Sequence, residues 1–367
     1  MKNKKFNLVF LNILVVNFCH QMGHQMTNTL VPKYADALGA SAYLVGLVGS
    51  MFAISSLLIR PIASPAFDSF SKKKMLIGAM IGMFLVFTSY GFSKSIPMIM
   101  VTRLFHGMCL GCVAPLSLAI ASNSLADHNI GKGIGILSLT QAVGQATGPN
   151  LGLTLSAKIG YNTTFMLGAG VMAIATLLAF FIKEDDYERE SYKISLDKII
   201  EKDSLHATVL MFFFTISYCC INNFIAIYGG LRGVENIGMY FTVYAVCLLI
   251  TRPISGILLD KLGYEKVLIP GIICFGISFY LISIAQNLQG FMIAAAVSAL
   301  GYGVCYPTVQ SLSMSCARRH RRGAAGSTNY LGADFGILAG APFAGFIVDK
   351  IKVATGSEVG AYSAMYT

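Results

Sequence analysis

Residues 60–74 read RPIASPAFDSFSKKK, and residues 252–266 read RPISGILLDKLGYEK. A shift of 192 residues brings these two segments into register and aligns Asp68 with Asp260. Because one offset also holds at distant positions, the chain is predicted to contain an internal duplication. The other pairs at this offset are Gly111 with Gly303, Pro115 with Pro307, Gly131 with Gly323, Gly144 with Gly336, and Gly148 with Gly340.

The composition indicates that the duplicated unit lies in a membrane. Of the 367 residues, 55% are hydrophobic and only 12% are charged, whereas a soluble domain carries roughly 25% charged residues. A water-soluble enzyme is therefore excluded, and the lack of a Walker sequence gives no support to ATP-driven pumping. Each apolar segment has close to the length of about 20 residues that a helix needs to cross a bilayer. The eleven predicted spans are 6–27, 43–65, 75–93, 97–122, 133–157, 163–182, 206–228, 236–259, 267–285, 289–315 and 324–348.

The fold class predicted from these spans is an all-α polytopic membrane protein, because only helices satisfy their own backbone hydrogen bonds in lipid. The strongly charged segment 183–205 separates six spans from the rest. It divides the chain into an N-terminal six-helix bundle (1–182), a cytoplasmic linker and a C-terminal bundle (206–367). Position 367 aligns with position 175 in the middle of span six, so a twelfth helix is expected to begin and to stop short.

The net charge of +10 is explained by membrane topology. With the N-terminus inside, 18 of the 27 basic residues are cytoplasmic, 6 are outside, and 3 lie in or beside spans. Since basic loops stay in the cytoplasm, the N-terminus is predicted to be cytoplasmic and the protein to lie in the plasma membrane. No nucleic-acid partner is expected, and no metal site either, because His20 and His24 have no further ligand nearby.

The loops after spans two and eight resemble the G-x-x-x-D-(R/K)-x-G-(R/K)-(R/K) signature of the major facilitator superfamily. The residues that match it are Asp68, Lys72 and Lys73 in the first loop, and Gly256, Asp260, Lys261, Gly263 and Lys266 in the second. In the first loop Ser64 and Ser71 replace the two glycines, and Ser69 replaces a basic residue. The resemblance implies a region that locks one conformation. The alternative is a tight basic loop that only sets topology.

Spans four and five also carry sequences similar to motifs of that superfamily. Arg103 and Gly107 form an R-x-x-x-G motif, and a buried arginine by default faces the interior of a helix bundle. The alternative is that Arg103 extends to the outer interface. Small residues four apart let helices pack backbone to backbone. The residues that resemble the G-x-x-x-G-P-x-x-G motif of proton-driven antiporters are Gly144, Gly148, Pro149 and Gly152.

Asp334 is the only one of the 17 acidic residues that lies well inside a span. Because desolvation there favours the neutral carboxyl, Asp334 is expected to take up and release a proton. In this hypothesis Arg103 tunes Asp334 or pairs with it. The alternative is a structural carboxylate that pairs with a basic residue or holds two helices together.

Polar residues form a stripe on one face of span one, at spacings of 4, 3 and 4. Such a face must meet protein or water, so the stripe is predicted to line a central substrate cavity together with two residues of span seven. The alternative is hydrogen bonding between helices without ligand contact. The predicted cavity residues are Asn17, Gln21, His24, Asn28, Tyr218 and Asn222.

The resemblance to the twelve-helix drug:proton antiporter group implies a fold of two pseudo-symmetric six-helix bundles and transport by alternating access. It favours a secondary transporter that exports a small organic molecule and is driven by a proton gradient, with no cofactor. The chain is expected not to be an enzyme, to be surrounded by lipid, and to function as a monomer. Two alternatives are an uptake symporter for metabolites or sugars and a non-transporting membrane sensor.

Overall fold

The computed structural model describes residues 8–40, 42–183, 191–194 and 199–367. Within these ranges the structure consists of helices and short connections, and eleven helices have twenty residues or more. The long helices are α1 (Leu8–Ala37), α2 (Ala42–Ser69), α3 (Lys72–Phe92), α4 (Ile96–Asn123), α5 (Ile130–Ile159), α6 (Tyr161–Phe180), α7 (Leu205–Leu231), α8 (Met239–Leu262), α9 (Tyr264–Ile284), α10 (Leu288–Cys316) and α11 (Arg322–Thr355). An eight-residue helix, α12 (Glu358–Met365), follows. Short 3₁₀ helices lie at Asp127–Asn129, Lys202–Ser204 and Arg319–Arg321.

The predicted spans correspond one to one with α1 to α11, and the all-α membrane fold is confirmed. Eight of the described helices, α3, α4 and α6 to α11, are long and apolar enough to cross a membrane. Several helices extend beyond their predicted spans; α1, for example, continues from its apolar part to Ala37. Hydropathy marks the apolar part of a helix, whereas the backbone continues until a breaking residue or a turn ends it.

The duplication is visible in the helices themselves. Pro61 in α2 corresponds to Pro253 in α8, and Pro115 in α4 corresponds to Pro307 in α10. Membrane helices tolerate such prolines because neighbouring helices and polar side chains satisfy the freed backbone groups. The repeat found in the sequence is therefore a repeat of helices with prolines at matching positions.

The chain forms two compact units. The first comprises Met1–Asp127, Thr140–Asp203 and Met314–Thr328. The second comprises His128–Leu139, Ser204–Ser313 and Asn329–Thr367. The start of α11 thus belongs to the first unit and the start of α5 to the second. The division into 1–182, 183–205 and 206–367, which follows chain order, stays a prediction.

The core of each unit is made by close pairs of helices. In the first unit α3 packs on α6, where a Cβ on Gly168 would lie 2.6 Å from the ring of Phe87. In the second unit α9 and α10 approach at Gly301, where a Cβ would lie 2.5 Å from the backbone nitrogen of Phe275. Glycine at these crossings allows the short interhelical distances on which packing in lipid depends.

Candidate functional site

The carboxylate of Asp68, at the end of α2, binds the first turn of α11. The backbone N–H groups of Gly323 and Ala324 donate to its two oxygens, each at 3.0 Å. The N-terminus of a helix has free N–H groups and the positive end of the helix dipole, so an anion is stabilised there. A Cβ at position 323 would lie 2.5 Å from Asp68 Oδ1. The close approach therefore requires the glycine.

Two basic side chains complete the surroundings of Asp68. Lys72 Nζ lies 3.4 Å from Asp68 Oδ1, and Arg321 Nη1 lies 3.8 Å from Oδ2. Arg321 also donates through Nε to Glu201 Oε2 at 2.7 Å. Asp68 and Lys72 are each only 1% exposed. Buried charges are stable only when they are paired and hydrogen-bonded, and this four-residue network meets that condition.

Asp260 repeats the same contact in the second unit. It accepts the backbone N–H groups of Gly131 at 3.0 Å and Lys132 at 2.8 Å, in the first turn of α5. A Cβ on Gly256 would lie 2.6 Å from the carbonyl oxygen of Gly131, so this glycine of the signature allows α8 to approach α5. The carboxylate of Asp260 is exposed, in contrast to that of Asp68.

The serines of the first loop have structural roles of their own. Ser64, at the position equivalent to Gly256, donates to the carbonyl of Ile199 at 2.7 Å. Ser71 caps α3 by accepting the N–H of Lys74, whereas the equivalent Gly263 has a φ of 82° between α8 and α9. Each of these two departures from the signature thus replaces a glycine by a hydroxyl with a defined partner. The remaining basic residues of the signature are partly or fully exposed: Lys73, Lys261 and Lys266.

Arg103 lies inside the first unit and is 0% exposed. It donates through Nε to the carbonyl of Val48 at 3.1 Å and through Nη2 to that of Thr27 at 3.3 Å, and it lies 5.1 Å above the ring of Phe52. A Cβ on Gly107 would collide with the carbonyl oxygen of Phe52, so the R-x-x-x-G glycine allows α4 to pack on α2. The interpretation in which Arg103 extends to the outer interface is therefore wrong, because the side chain is fully enclosed.

Two histidines connect Arg103 to the polar stripe of α1. Arg103 Nη1 lies 3.5 Å from His106 Nδ1, and the hydroxyl of Tyr90 lies 3.3 Å from the same nitrogen. His106 Nε2 lies 3.4 Å from His24 Nδ1, and His24 Nε2 lies 3.2 Å from the amide of Asn28. In the described ranges of the chain, no group of three or more His, Cys, Asp or Glu side chains is arranged to hold a metal ion.

The rest of the polar stripe is largely buried. Asn17 donates to the hydroxyl of Thr140 on α5 at 2.7 Å and is 1% exposed. Gln21 and His24 are buried, and Asn28 is half-buried. The contact of Asn17 favours the alternative of interhelical hydrogen bonding at that position. Substrate contact by the stripe stays a prediction.

The glycine motif of α5 forms a contact with α1. A Cβ on Gly148 would lie 2.6 Å from the carbonyl oxygen of Met22, and one on Gly144 would lie 2.9 Å from the nitrogen of Met22. A Cβ on Gly152 would lie 2.6 Å from Met26 Cγ. The two backbones thus approach closely along the motif. Pro149 follows Gly148 inside the same helix.

Asp334 lies in the part of α11 that belongs to the second unit, and it is half-buried. Its charge acts on the hydroxyl of Tyr306 in α10. Arg252 of α8 lies 5.6 Å above the ring of Tyr306 and donates to the carbonyl of Ser138. One tyrosine thus lies within reach of an acidic and a basic side chain. A pairing of Asp334 with Arg103 stays a prediction.

Tyr306 is part of a cluster of tyrosine rings, here called the tyrosine cluster: Tyr218, Tyr244, Tyr302 and Tyr306. Tyr218 of α7 stacks on Tyr302 at 4.7 Å between centroids, and Tyr302 lies 5.4 Å from Tyr306. Tyr244 of α8 lies 6.4 Å from Tyr218, and its buried hydroxyl has no hydrogen-bond partner among the described residues. Asn222, one turn further along α7 than Tyr218, is exposed.

Comparison with known proteins decides the family. The profile of the Major Facilitator Superfamily matches residues 13–235 and 208–354. The chain belongs to the Major Facilitator Superfamily. It is therefore an integral membrane transporter with a small-molecule substrate and lipid around it, and not an enzyme.

Relatives of this superfamily member include named efflux proteins. The multi-drug resistance efflux pump PmrA homolog of Lactococcus lactis subsp. lactis is 25% identical over 301 residues, covering 77% of this chain and 74% of the relative. The multidrug resistance protein MdtG of Salmonella schwarzengrund is 26% identical over 333 residues, covering 84% and 81%. Among solved structures, the E. coli fucose:proton symporter FucP matches with a TM-score of 0.78 at 15% identity, covering 97% and 95%. That last likeness shows the fold alone.

Sequence reasoning about this superfamily member overlooked several residues that the structure brings into the site. Glu201 and Arg321 carried no signal beyond the general charge of their loops, although Arg321 directly precedes the helix whose Gly323 matches Gly131. Tyr302 and Tyr306 are spaced four residues apart on one helix, which is a detectable pattern. This pattern does not distinguish a ligand site from ordinary packing, because aromatic residues at this spacing also fill the interfaces between helices.

Proposed function

We propose that the chain is a secondary active transporter that exports a small organic molecule in exchange for protons, by alternating access. The observation that carries the proposal is the position of Asp334, an intramembrane carboxylate beside the tyrosine cluster of the second unit. Placing an ionisable group inside a membrane costs free energy, so such groups mark pathways of protons or substrates. The relatives from Lactococcus lactis and Salmonella schwarzengrund are named as multidrug resistance or efflux proteins, which supports export as the direction of transport.

The tyrosine cluster suggests the chemistry of the substrate. Stacked tyrosine rings offer large apolar faces together with hydroxyl groups that can donate or accept hydrogen bonds. The unpartnered hydroxyl of Tyr244 is available for a polar group of a ligand. The proposed substrate is therefore a flat, mainly apolar organic molecule with at least one hydrogen-bonding group.

The proton is proposed to act by neutralising the charge of Asp334. When Asp334 is ionised, its charge and that of Arg252 both act on Tyr306. Protonation removes one of the two charges, and the free energies of the conformations change by different amounts. A ligand or a proton shifts such an equilibrium only through its different affinity for the two states. The contacts of Asp68 and Asp260 with helix N-termini are proposed to stabilise one of these states.

The proposal extends to the surroundings of the protein. The bias of the basic residues supports the further proposal that the protein lies in the plasma membrane with a cytoplasmic N-terminus. It is proposed to work as a monomer, with the small molecule and lipid, but no nucleic acid, as its partners.

Flux measurements in everted membrane vesicles test the proposal. Ethidium, a planar aromatic cation, and rhodamine 6G serve as fluorescent probes, and a pH gradient is imposed in either direction. The wild-type chain is expected to take up at least one probe into everted vesicles when their interior is acidic. Asp334→Asn is expected to reduce the response to the gradient by about tenfold or more, because the carboxyl can no longer exchange a proton.

Glu265→Gln is the matched control, because it neutralises an exposed carboxylate in the first turn of α9. It is expected to transport like the wild type. A normal response to the pH gradient in Asp334→Asn would contradict the proton role. Probe movement in the same direction as protons would indicate a symporter. No flux of either probe in any condition would favour the sensor.

A further inference from the structure

Arg103 determines which ring nitrogen of His106 carries a proton. A guanidinium has N–H donors and no acceptor, so His106 Nδ1, 3.5 Å from Arg103 Nη1, can only accept. Because Nδ1 accepts, the hydroxyl of Tyr90, 3.3 Å away, donates to it as well. A neutral His106 therefore carries its proton on Nε2.

The tautomer of His106 in turn determines the tautomer of His24 on α1. His106 Nε2–H faces His24 Nδ1 at 3.4 Å, so His24 Nδ1 accepts and His24 carries its proton on Nε2. That proton points to Asn28 Nδ2 at 3.2 Å, which is also a donor, so this arrangement requires the amide of Asn28 to be turned over. The oxygen and nitrogen of an amide exchange places by a flip, and the hydrogen-bond network decides between them. With its oxygen towards His24, Asn28 accepts, and the Oδ1 atom that is otherwise buried without a partner gains one.

From this arrangement we propose that the His24–His106 pair is a proton-binding site of the first unit, separate from Asp334, held here in its unprotonated form. The proposal rests on the proton-coupled transport proposed above. All four ring nitrogens are already committed, two as donors and two as acceptors. An added proton on His24 Nδ1 sets two N–H groups against each other, and one on His106 Nδ1 faces the donors of Arg103. Protonation therefore breaks the contact between α1 and α4 or displaces Arg103.

The charged and titratable groups around the pair are few. Arg103 comes from α4, Tyr90 from α3, and His20 from α1, with its ring 6.3 Å from that of His24. From α2 the neutral ring of Phe52 packs at 5.3 Å from His24. No carboxylate of the described residues acts on either histidine ring. The positive charge of Arg103 thus repels a second positive charge, which makes protonation dependent on a rearrangement.

The pattern of exposure gives the proton an entry point. Asn28 is half-buried and His24 is 8% exposed, whereas His106 and Arg103 are 0% exposed. A proton therefore reaches the pair from the Asn28 end of α1 and is stopped by Arg103. A site with one open end and a fixed positive charge at the other can bind and release a proton without conducting it through the protein.

Nitrogen-15 NMR of the histidine-labelled full chain in lipid nanodiscs tests the inference. The chain has 6 histidines, so the ring signals are assignable by single His→Gln variants. At alkaline pH both His24 and His106 are expected as the Nε2–H tautomer, and on acidification their signals are expected to change together. His106→Gln is expected to move the titration midpoint of His24 by about one pH unit or more, as for directly coupled groups. His20→Gln removes a ring without hydrogen-bond partners whose charge acts on His24, and it is expected to move the midpoint by less than His106→Gln does.

Either ring in the Nδ1–H tautomer, or independent titration of His24 and His106, would overturn the inference. A larger effect of His20→Gln than of His106→Gln would overturn it as well, by moving the proton site to His20. The tautomers are read from the wild-type chain, so the test survives a variant that fails to fold. No transport is measured in it, so the proposed function and the proton site can fail separately. If the vesicles export a probe but His24 and His106 titrate independently, only the proton site is contradicted. If the two histidines titrate together but no probe is exported, only the proposed function is contradicted.

Discussion

Asp68 and Asp260 occupy equivalent positions in the two copies of the repeat, and each accepts two backbone N–H groups of a helix N-terminus. Their surroundings differ. Asp68 is 1% exposed and lies beside Lys72 and Arg321, whereas Asp260 is exposed. Burial increases both the strength of an ionic contact and the cost of leaving a partner unpaired. The copy that departs most from the family signature therefore has the more strongly connected carboxylate.

Asparagine substitutions measure this difference. Asp68→Asn keeps the shape of the side chain but removes the charge, so Lys72 and Arg321 each lose a buried carboxylate beside them. The expected loss in the free energy of unfolding is about 3 kcal/mol for Asp68→Asn and about 0.5 kcal/mol for Asp260→Asn, which loses only a charge at a helix N-terminus. Thermal unfolding of the two variants in the same detergent gives the comparison. Equal losses would mean that burial adds nothing to the first contact.

At the scale of helices, both copies of the repeat use the same device for close packing. Glycines of α5 lie against the backbone of α1 at Met22, and Gly336 and Gly340 of α11 lie against the backbone of α7 near Ile216. Lipid chains are as apolar as leucine, so burial of apolar surface does not drive helices together in a membrane. Association depends on contact between backbones, which a side chain at the crossing prevents.

Gly148→Ala is expected to destabilise the pair of α1 and α5. The new Cβ would lie 2.6 Å from the carbonyl oxygen of Met22, which is backbone and cannot move aside without shifting α1. The expected cost is about 1–3 kcal/mol, as for overpacking. Gly170→Ala on α6 is the control, since its Cβ meets no atom within 4 Å, and its unfolding free energy should stay within about 0.5 kcal/mol of the wild type. Both are compared by thermal unfolding, and similar values for the two would show that the crossing is not tight.

At the scale of the whole molecule, the distribution of basic residues predicts the orientation of every helix. Three lysines begin α3 at 72–74, and a single lysine, Lys94, follows its end. Because basic loops are retained on the cytoplasmic side, α3 is expected to run from the inside to the outside.

Alkaline phosphatase fusions test this orientation, because the enzyme is active only outside the cytoplasm. A fusion after Phe70, before α3, is expected to be inactive. The phosphatase activity of a fusion after Lys94 is expected to be higher by about tenfold or more. Immunoblotting of both fusions controls for expression. Activity in the order opposite to this one would invert the predicted topology.

The fold was predictable from the sequence to a large extent, whereas the contacts of the candidate site were not. Hydropathy located eleven helices, and the repeat paired Asp68 with Asp260, because both signals are local or depend on one constant offset. The partners of Asp68 in α11 are 255 and 256 residues away. The pattern of residues in α2 and α11 does not predict that the end of α2 contacts the first turn of α11. The polar stripe shows the same limit, since its periodicity identified a face of α1 but not Thr140 as the partner of Asn17.

By itself the sequence determined the number of spans, the duplication, the charge bias and the family, since each follows from composition or from motifs read along the chain. Only the tertiary structure decided that Arg103 is enclosed, that His106 and His24 form a hydrogen-bonded pair, and that Tyr218 belongs to a cluster with Tyr302. The physical reason is that lipid constrains every spanning segment in the same way, to be apolar and helical. Polar contacts, by contrast, depend on the rotation and depth of each helix against its neighbours, which packing alone sets.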